Sequence, residues 1–243
     1  MTRIAEVAEV KESLLKEFEQ AMRSDPRVSE IYKLLERGGR LSQKTSYRMA
    51  EMTAENLADC FVNQIVIIYD TISVEDALDV LPPLLQKNHD YVAEYAMQVQ
   101  KHIDEAVDIG ILPVKPDFDM SRATGLAESI AGTDLKATEE TIRLRIDNFS
   151  KHIVDESLRK NAQARQNMGL DIRVVREYDD KGLHKGKDPC VWCLQRAGAW
   201  TYNEAQEHGV WERHPGCGCT ITYMTQRGDV QRLNSLSGMW ADT

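Results

Sequence analysis

The chain has 243 residues, 42% of them hydrophobic and 28% charged, with a formal net charge of −9. That balance excludes the disordered, fibrous and collagen-like classes, and the length allows one large core or two smaller ones. The charge is uneven, with 17 Lys and Arg against 27 Asp and Glu in residues 1–150, and 13 against 12 in residues 151–243.

Ile4, Val7, Val10, Leu14 and Phe18 recur at intervals of three or four, which predicts a helix ending before the SDPR stretch at Ser24. A short helix is expected over Val28–Glu36, then a turn at RGGRLS, then a longer helix from Ser42 or Gln43 to about Tyr69 carrying Met49, Met52, Leu57, Phe61, Ile65 and Ile68. SVED at Ser73 is a capping-box pattern with Asp76 three residues on. The helix it opens should break at LPPLL, because Pro82 and Pro83 lack amide protons, and a further helix should run from Gln86 to Gly110. ILPVKPDFDMS, with two prolines and no periodicity, reads as an internal linker. A short helix through RATGLAESIAG follows, and then one of about thirty residues striped by Ile142, Ile146, Phe149, Ile153 and Leu158, whose length suggests an arm or a partner helix.

After Gly169 the pattern changes. Ile172 and Val174 alternate with charged neighbours as in a strand, KGLHKGK is a turn with three lysines, and CTITYMT is a second strand. The expected organisation is a helical N-terminal region over 1–112, a linker and long helical arm over 113–168, and a small Cys/His domain over 169–243. The fold class is mainly α: a helical body with a long helix, followed by a small zinc-stapled α+β domain.

The N-terminal MTRIAEVAEVKESLLKEFEQ has charges throughout and no apolar signal-peptide core, which predicts a chain made and kept in the cytoplasm. The longest apolar run, FVNQIVIIYD, is interrupted by Asn63 and Gln64 and is far shorter than the roughly 20 residues a bilayer requires, so no membrane partner is expected. The acidic N-terminal part is ill suited to neutralising phosphates, so any DNA contact belongs to the C-terminal third.

Four of the five cysteines lie between Cys190 and Cys219. Cys190 and Cys193 are spaced to direct two sulfurs at one point, and His214 and Cys217 repeat that spacing around HPGCG, where Pro215, Gly216 and Gly218 suit a tight knuckle. Two such knuckles make a tetrahedral site whose natural occupant is one structural zinc per chain. Cys219 adds a fifth candidate for four places, able to replace Cys217 or His214. Disulfides are the competing reading in an oxidising setting, and unconnected structural cysteines the next.

A catalytic zinc would need an open position and a general acid or base. DPCVWC contains the P-C-x-x-C half of a zinc deaminase signature, but no His-x-Glu precedes Cys190, and only Glu204, Glu207 and Glu212 lie between the knuckles, where solvated acids are the commoner occurrence. Trp192 and Trp211 read as lids over a small metal core, and Cys60 as a buried apolar residue. His89, His102 and His152 read as surface or hydrogen-bonded helix residues. Neither a Gly-rich phosphate loop nor a Ser/His/Asp order is visible.

The order Cys-x-x-Cys, Gly with an aromatic, a variable stretch and then RHPGCGCTITY resembles the C-terminal domain of the phage Mu protein F-like family, minor head or head morphogenesis proteins of tailed phages. The match runs through IRVVREYDD, DPCVWCLQRAGAWTY and VWERHPGCGCTITY, roughly residues 170 to 225. The resemblance implies a non-enzymatic minor capsid protein acting in head assembly or DNA packaging, at the portal and capsid interior of the virion and in host cytoplasm during assembly. Implied partners are the portal protein, the major capsid or scaffold protein, further copies in an assembly, and packaged DNA through the C-terminal domain. It also implies that Cys190, Cys193, His214, Cys217 and Cys219 match the family's metal-ligand positions. Two alternatives stand beside it: a zinc-dependent deaminase or nuclease-like enzyme, and a zinc-knuckle nucleic-acid adaptor using Lys181, Lys185, Lys187, Arg196 and Arg213.

Overall fold

The computed structural model describes residues 3–37, 41–106, 110–179 and 190–225. Helix α1 (Arg3–Ser24) is followed by α2 (Pro26–Glu36), α3 (Gln43–Ile68), α4 (Val74–Ala106), α5 (Met120–Ile130) and α6 (Glu139–Asn167). Then come β1 (Ile172–Glu177), α7 (Val191–Arg196), β2 (Gly198–Thr201), α8 (Tyr202–Glu207) and β3 (Thr220–Thr225). The turns expected at RGGRLS and KGLHKGK fall wholly or partly outside the described residues. No helix among the described residues is long and apolar enough to cross a membrane.

Local signals account for most of the helix ends. Pro26 opens α2 at a position where its missing amide costs nothing, and Asp25 accepts from the Arg27 amide at 2.9 Å. Ser73 caps α4 by accepting from the Asp76 amide at 3.1 Å. The expected break at Pro82 and Pro83 does not occur: α4 continues through both. The reason is packing, since Val80, Leu81, Leu84 and Leu85 continue one buried face across the two prolines and Pro82 is itself buried. Burial of that face outweighs the lost backbone hydrogen bonds.

Helix α6 is not a projecting arm. It packs against α3 and α4 and carries β1, β3 and α8 near its C-terminal half. Its buried face holds Ile142, Ile146, Phe149, Ile153 and Leu158, but also Ser150, Asp155, Asn161 and Arg165. Each of these polar groups is answered from another element or from the preceding turn. The Arg165 guanidinium meets Asp104 of α4, and the Ser150 hydroxyl bonds to Asn88 at 3.0 Å. Asn161 accepts from the Val114 amide at 2.8 Å and donates to its carbonyl at 3.0 Å.

The three strands form an antiparallel sheet in the order β2-β1-β3, with Val174 opposite Trp200 on one side and Tyr223 on the other. Ile172, Val174, Ile221 and Tyr223 join the same apolar cluster as the helices, so the sheet extends the helical core. Cys193, Cys217 and Cys219 form a separate small cluster at its edge, with Tyr178, Cys190 and Trp192 packed on it.

One polar junction holds sheet and helices together. Asp155 of α6 and Arg213 of the loop before β3 form an ion pair in which both side chains are 0% exposed. The Tyr47 hydroxyl of α3 donates to Asp155 at 2.5 Å and accepts from the Ile221 amide at 3.1 Å. Burial alone would depress the Arg213 guanidinium, but Asp155 outweighs it and holds its pKa well above the ordinary value. Removing one member strands the other charge in the core. Asp155→Ala is therefore expected to lower the unfolding free energy by about 3–5 kcal/mol, measured by urea denaturation.

His89 corrects a sequence reading. It is buried, with its ring edge against Phe118 at 5.6 Å, and neither ring nitrogen has a hydrogen-bond partner among the described residues. Burial lowers its pKa, although Asp90 partly opposes the shift. The unfolded chain, with His near 6.5, therefore binds a proton more readily than the folded one. Its contribution to stability is whole above that value and is lost as pH falls below it. His89→Gln should flatten the decline of unfolding free energy between roughly pH 6.5 and 5, read from denaturation curves at each pH.

Candidate metal centre

The two ligand pairs are placed by two short turns. Cys190 caps α7 and Cys193 sits one turn on, with the Leu194 amide bonded to the Cys190 carbonyl at 3.0 Å. In the second loop the Cys217 amide bonds to the His214 carbonyl at 3.1 Å, and Gly216 takes φ +72°, a left-handed angle that favours glycine. Gly218 has no positive φ and is not required on that ground. Cys219 leads directly into β3, so the strand fixes its position.

These turns bring all five sequence candidates together. Cys190, Cys193 and His214 form one group and Cys193, Cys217 and Cys219 a second, with the donor atoms of each group within 4.8 Å of one another. Cys193 belongs to both. The Cys193–Cys217 sulfur separation is 3.7 Å and the Cys190 sulfur lies 3.4 Å from His214 Nε2. For metal–sulfur bonds of about 2.3 Å and metal–nitrogen bonds of about 2.0 Å, tetrahedral edges fall near 3.5–3.8 Å, so these separations suit one shared ion. The 2.9 Å contact between Cys193 and His214 Nε2 is closer than such an edge, as suits a direct thiol–imidazole contact. All five cysteines of the chain are free thiols, so the structure has no disulfides.

The surroundings oppose simultaneous ionisation of the buried thiols. Cys193, Cys217 and Cys219 are 2%, 3% and 1% exposed. Burial pushes the Cys193 thiol up to about 12, and a hydrogen bond with Cys219, followed by burial, pushes Cys217 above its usual range. The same hydrogen bond draws Cys219 down to about 7. Three buried sulfurs therefore do not ionise together unaided, whereas a coordinated cation deprotonates them outright.

Second-layer contacts point the same way. His214 Nδ1 lies 2.9 Å from the Pro215 carbonyl, which sets Nδ1–H as donor and leaves Nε2 to face the sulfurs. Arg176, third on the inward face of β1 after Ile172 and Val174, is 1% exposed. Its guanidinium donates to the Glu212 carbonyl at 2.6 Å and to the Cys217 sulfur at 3.4 Å. A guanidinium aimed at sulfur offsets the −1 charge of a divalent ion with three thiolates and one imidazole. Sequence reasoning missed Arg176, which sits in a strand pattern where an inward arginine breaks the alternation.

Trp192 acts as the expected lid. It packs on the cysteine cluster, meets His214 edge-on at 5.3 Å and carries the Arg196 guanidinium 3.8 Å from its ring centroid. Trp211 does not: it belongs to the main core and packs near Tyr202, with ring centroids 6.4 Å apart. Cys60 is buried in α3, where burial raises its thiol to about 11. Three small elements, α7, β2 and α8, also escaped the sequence reading, although Thr201 and Glu204 form a full capping box whose TYNE pattern was legible.

Two of the three acids between the knuckles have partners of their own. Glu204 is spent on that capping box, accepting from the Thr201 amide and hydroxyl at 2.8 Å each. Glu212 is largely exposed and lies 3.9 Å from Arg196. Of the basic set considered for nucleic acid, Lys181, Lys185 and Lys187 lie outside the described residues, Arg196 covers Trp192, and Arg213 is wholly buried against Asp155. Arg213 therefore drops out of any surface role.

Compared with known proteins, the chain matches no family model, no curated protein and no solved structure. The Cys/His cluster stands on its geometry alone, as a group of side chains able to hold a metal ion.

Because Cys193 is common to both donor groups, Cys193→Ser is expected to abolish metal retention, while Cys190→Ser and Cys219→Ser, each in one group only, retain more. Elemental mass spectrometry of each purified variant after dialysis checks the order, and equal losses at all three would contradict it.

Proposed function

We propose that the Cys/His cluster holds one structural zinc and that the protein is a non-enzymatic minor capsid protein of a tailed phage, acting in head assembly or DNA packaging. The observation that carries the metal assignment is five thiol and imidazole donors converging in a buried place beside Arg176. Zinc accepts this donor set in tetrahedral geometry without redox chemistry. Protein donors outnumber the four positions, which suits a closed structural site more than one holding water for catalysis.

The capsid reading rests on the resemblance of IRVVREYDD, DPCVWCLQRAGAWTY and VWERHPGCGCTITY to Mu protein F-like minor head proteins. These segments span the strands and loops that build the metal centre. In this reading the zinc staples the loops before β3 to α7, and the rigid surface so formed is offered to the portal protein or to the major capsid or scaffold protein. The expected locations are the virion, at the capsid interior or portal vertex, and host cytoplasm during assembly. The competing reading is a zinc enzyme of the deaminase or nuclease-like class.

Two measurements separate these readings. Purified protein is expected to contain one zinc per chain by elemental mass spectrometry and to co-purify with portal oligomers when both are expressed together. Cys193→Ser should lose both properties, while Glu204→Gln and Glu212→Gln should keep them. Zinc-dependent deamination or phosphodiester cleavage that disappears in either Glu variant would replace the structural reading with the enzymatic one.

A further inference from the structure

Several arginines among the described residues are matched to a carboxylate. Arg27, Arg143, Arg159, Arg165 and Arg213 each lie within 4.0 Å of one. Arg122 of α5 and Arg145 of α6 form no ion pair among the described residues, yet they line one cleft. The cleft has a volume of about 350 Å³ and runs between α5 and α6. Ser129 and Asn148 supply its remaining polar groups, Leu126 and Phe149 its apolar floor, and no lining residue is acidic.

Arg122 is the informative member. It is half-buried, burial lowers its pKa, and it also lines two adjoining cavities, one beside His89 and one reaching Trp192. Asp119, Asp155 and Glu156 partly offset that burial from outside the cleft, and an anion inside the cleft, where no acid lines the wall, would offset more of it. Turned so that both ends are satisfied, the Asn148 amide accepts from Arg122 at 3.2 Å and donates to the His214 carbonyl at 3.2 Å. The cleft is thereby joined to the metal loop. Arg145 spends one donor on the Ser129 carbonyl at 2.8 Å and keeps the rest of its fork.

We propose that the α5–α6 cleft is a phosphate-binding site in which Arg122 and Arg145 grip the oxyanion from two helices. Two guanidinium forks on different helices present donors in more directions than a planar carboxylate uses, whereas a tetrahedral phosphate has oxygens for both. The apolar floor leaves room for the organic part of a phosphate ester. The phosphate is either free, as ion or monoester, or part of a nucleic-acid backbone. This site does not depend on the capsid reading, and it is distinct from the lysine-rich set considered from sequence.

Gly125 supplies a clean test. It lines the cleft from α5, and a Cβ built there meets nothing within 4 Å. Gly125→Phe should therefore occlude the cleft without changing charge, and it replaces a poor helix former. Binding of sodium phosphate, thymidine 5′-monophosphate and a short oligothymidylate to the full-length zinc-loaded protein would be measured by calorimetry, with sodium chloride matched for ionic strength. Phosphate should bind where chloride does not, and Gly125→Phe, Arg122→Gln and Arg145→Gln should each weaken binding about tenfold or more. Arg48→Gln, an exposed arginine away from the cleft, should leave binding unchanged.

Oligothymidylate binding more tightly than the monophosphate, with steep salt dependence, would identify the source as nucleic-acid backbone. Equal affinities would identify free phosphate or a monoester. Phosphate binding no better than chloride, or binding that survives both Gly125→Phe and Arg145→Gln, would overturn the proposal.

Discussion

The structure depends on a carboxylate buried where no water reaches it. Asp155 sits on the inner face of α6, and its charge is acceptable there because Arg213 and the Tyr47 hydroxyl meet it from two other elements. That single group ties α3, α6 and the loop before β3 into one unit. Arg213 passes the constraint on, since its guanidinium also donates to the Cys217 carbonyl at 3.3 Å and its backbone precedes His214. The position of two metal-ligand candidates is therefore set from the helical core as well as from their own turn.

The Cys/His cluster and the sheet are held differently. The sheet has enough apolar residues to join the helical core through Ile172, Val174, Ile221 and Tyr223. The loops around Cys190 and Cys217 do not, and their own cluster is little more than sulfur, Tyr178 and Trp192. So small a group of apolar contacts gives little folding free energy, which a coordinated ion can supply directly. Arg176 links the two regions, because it reaches the sulfurs from a strand whose other inward residues are apolar.

Pairing of charge explains which cations remain for function. Arginines and lysines of the helical body each reach more than one carboxylate, as in Arg143 with Asp59 and Glu139, or Lys151 with Glu51 and Asp147 at 3.0 and 3.1 Å. Such pairs hold a helical bundle in register but leave their cations occupied. Arg122 and Arg145 share a cleft wall that carries no carboxylate.

Much of the secondary structure was legible in the sequence. The helical stripes of α1, α3 and α6, the caps at Ser73 and Thr201, and the alternation in β1 are local patterns that the backbone obeys. The spacing of Cys190, Cys193, His214, Cys217 and Cys219 likewise announced a cluster, because donors three residues apart meet through a single turn. By itself, then, the sequence determined the helix-then-sheet order and the composition of the Cys/His cluster. Only the tertiary structure decided that Pro82 and Pro83 sit inside a continuous helix, that α6 is a core element with buried Asp155 and Arg165, and that Arg213 is sealed while Arg122 faces a cleft. The physical reason is the same in each case: the cost of a missing amide or a buried charge depends on which distant groups pack against it, and local spacing carries no record of them.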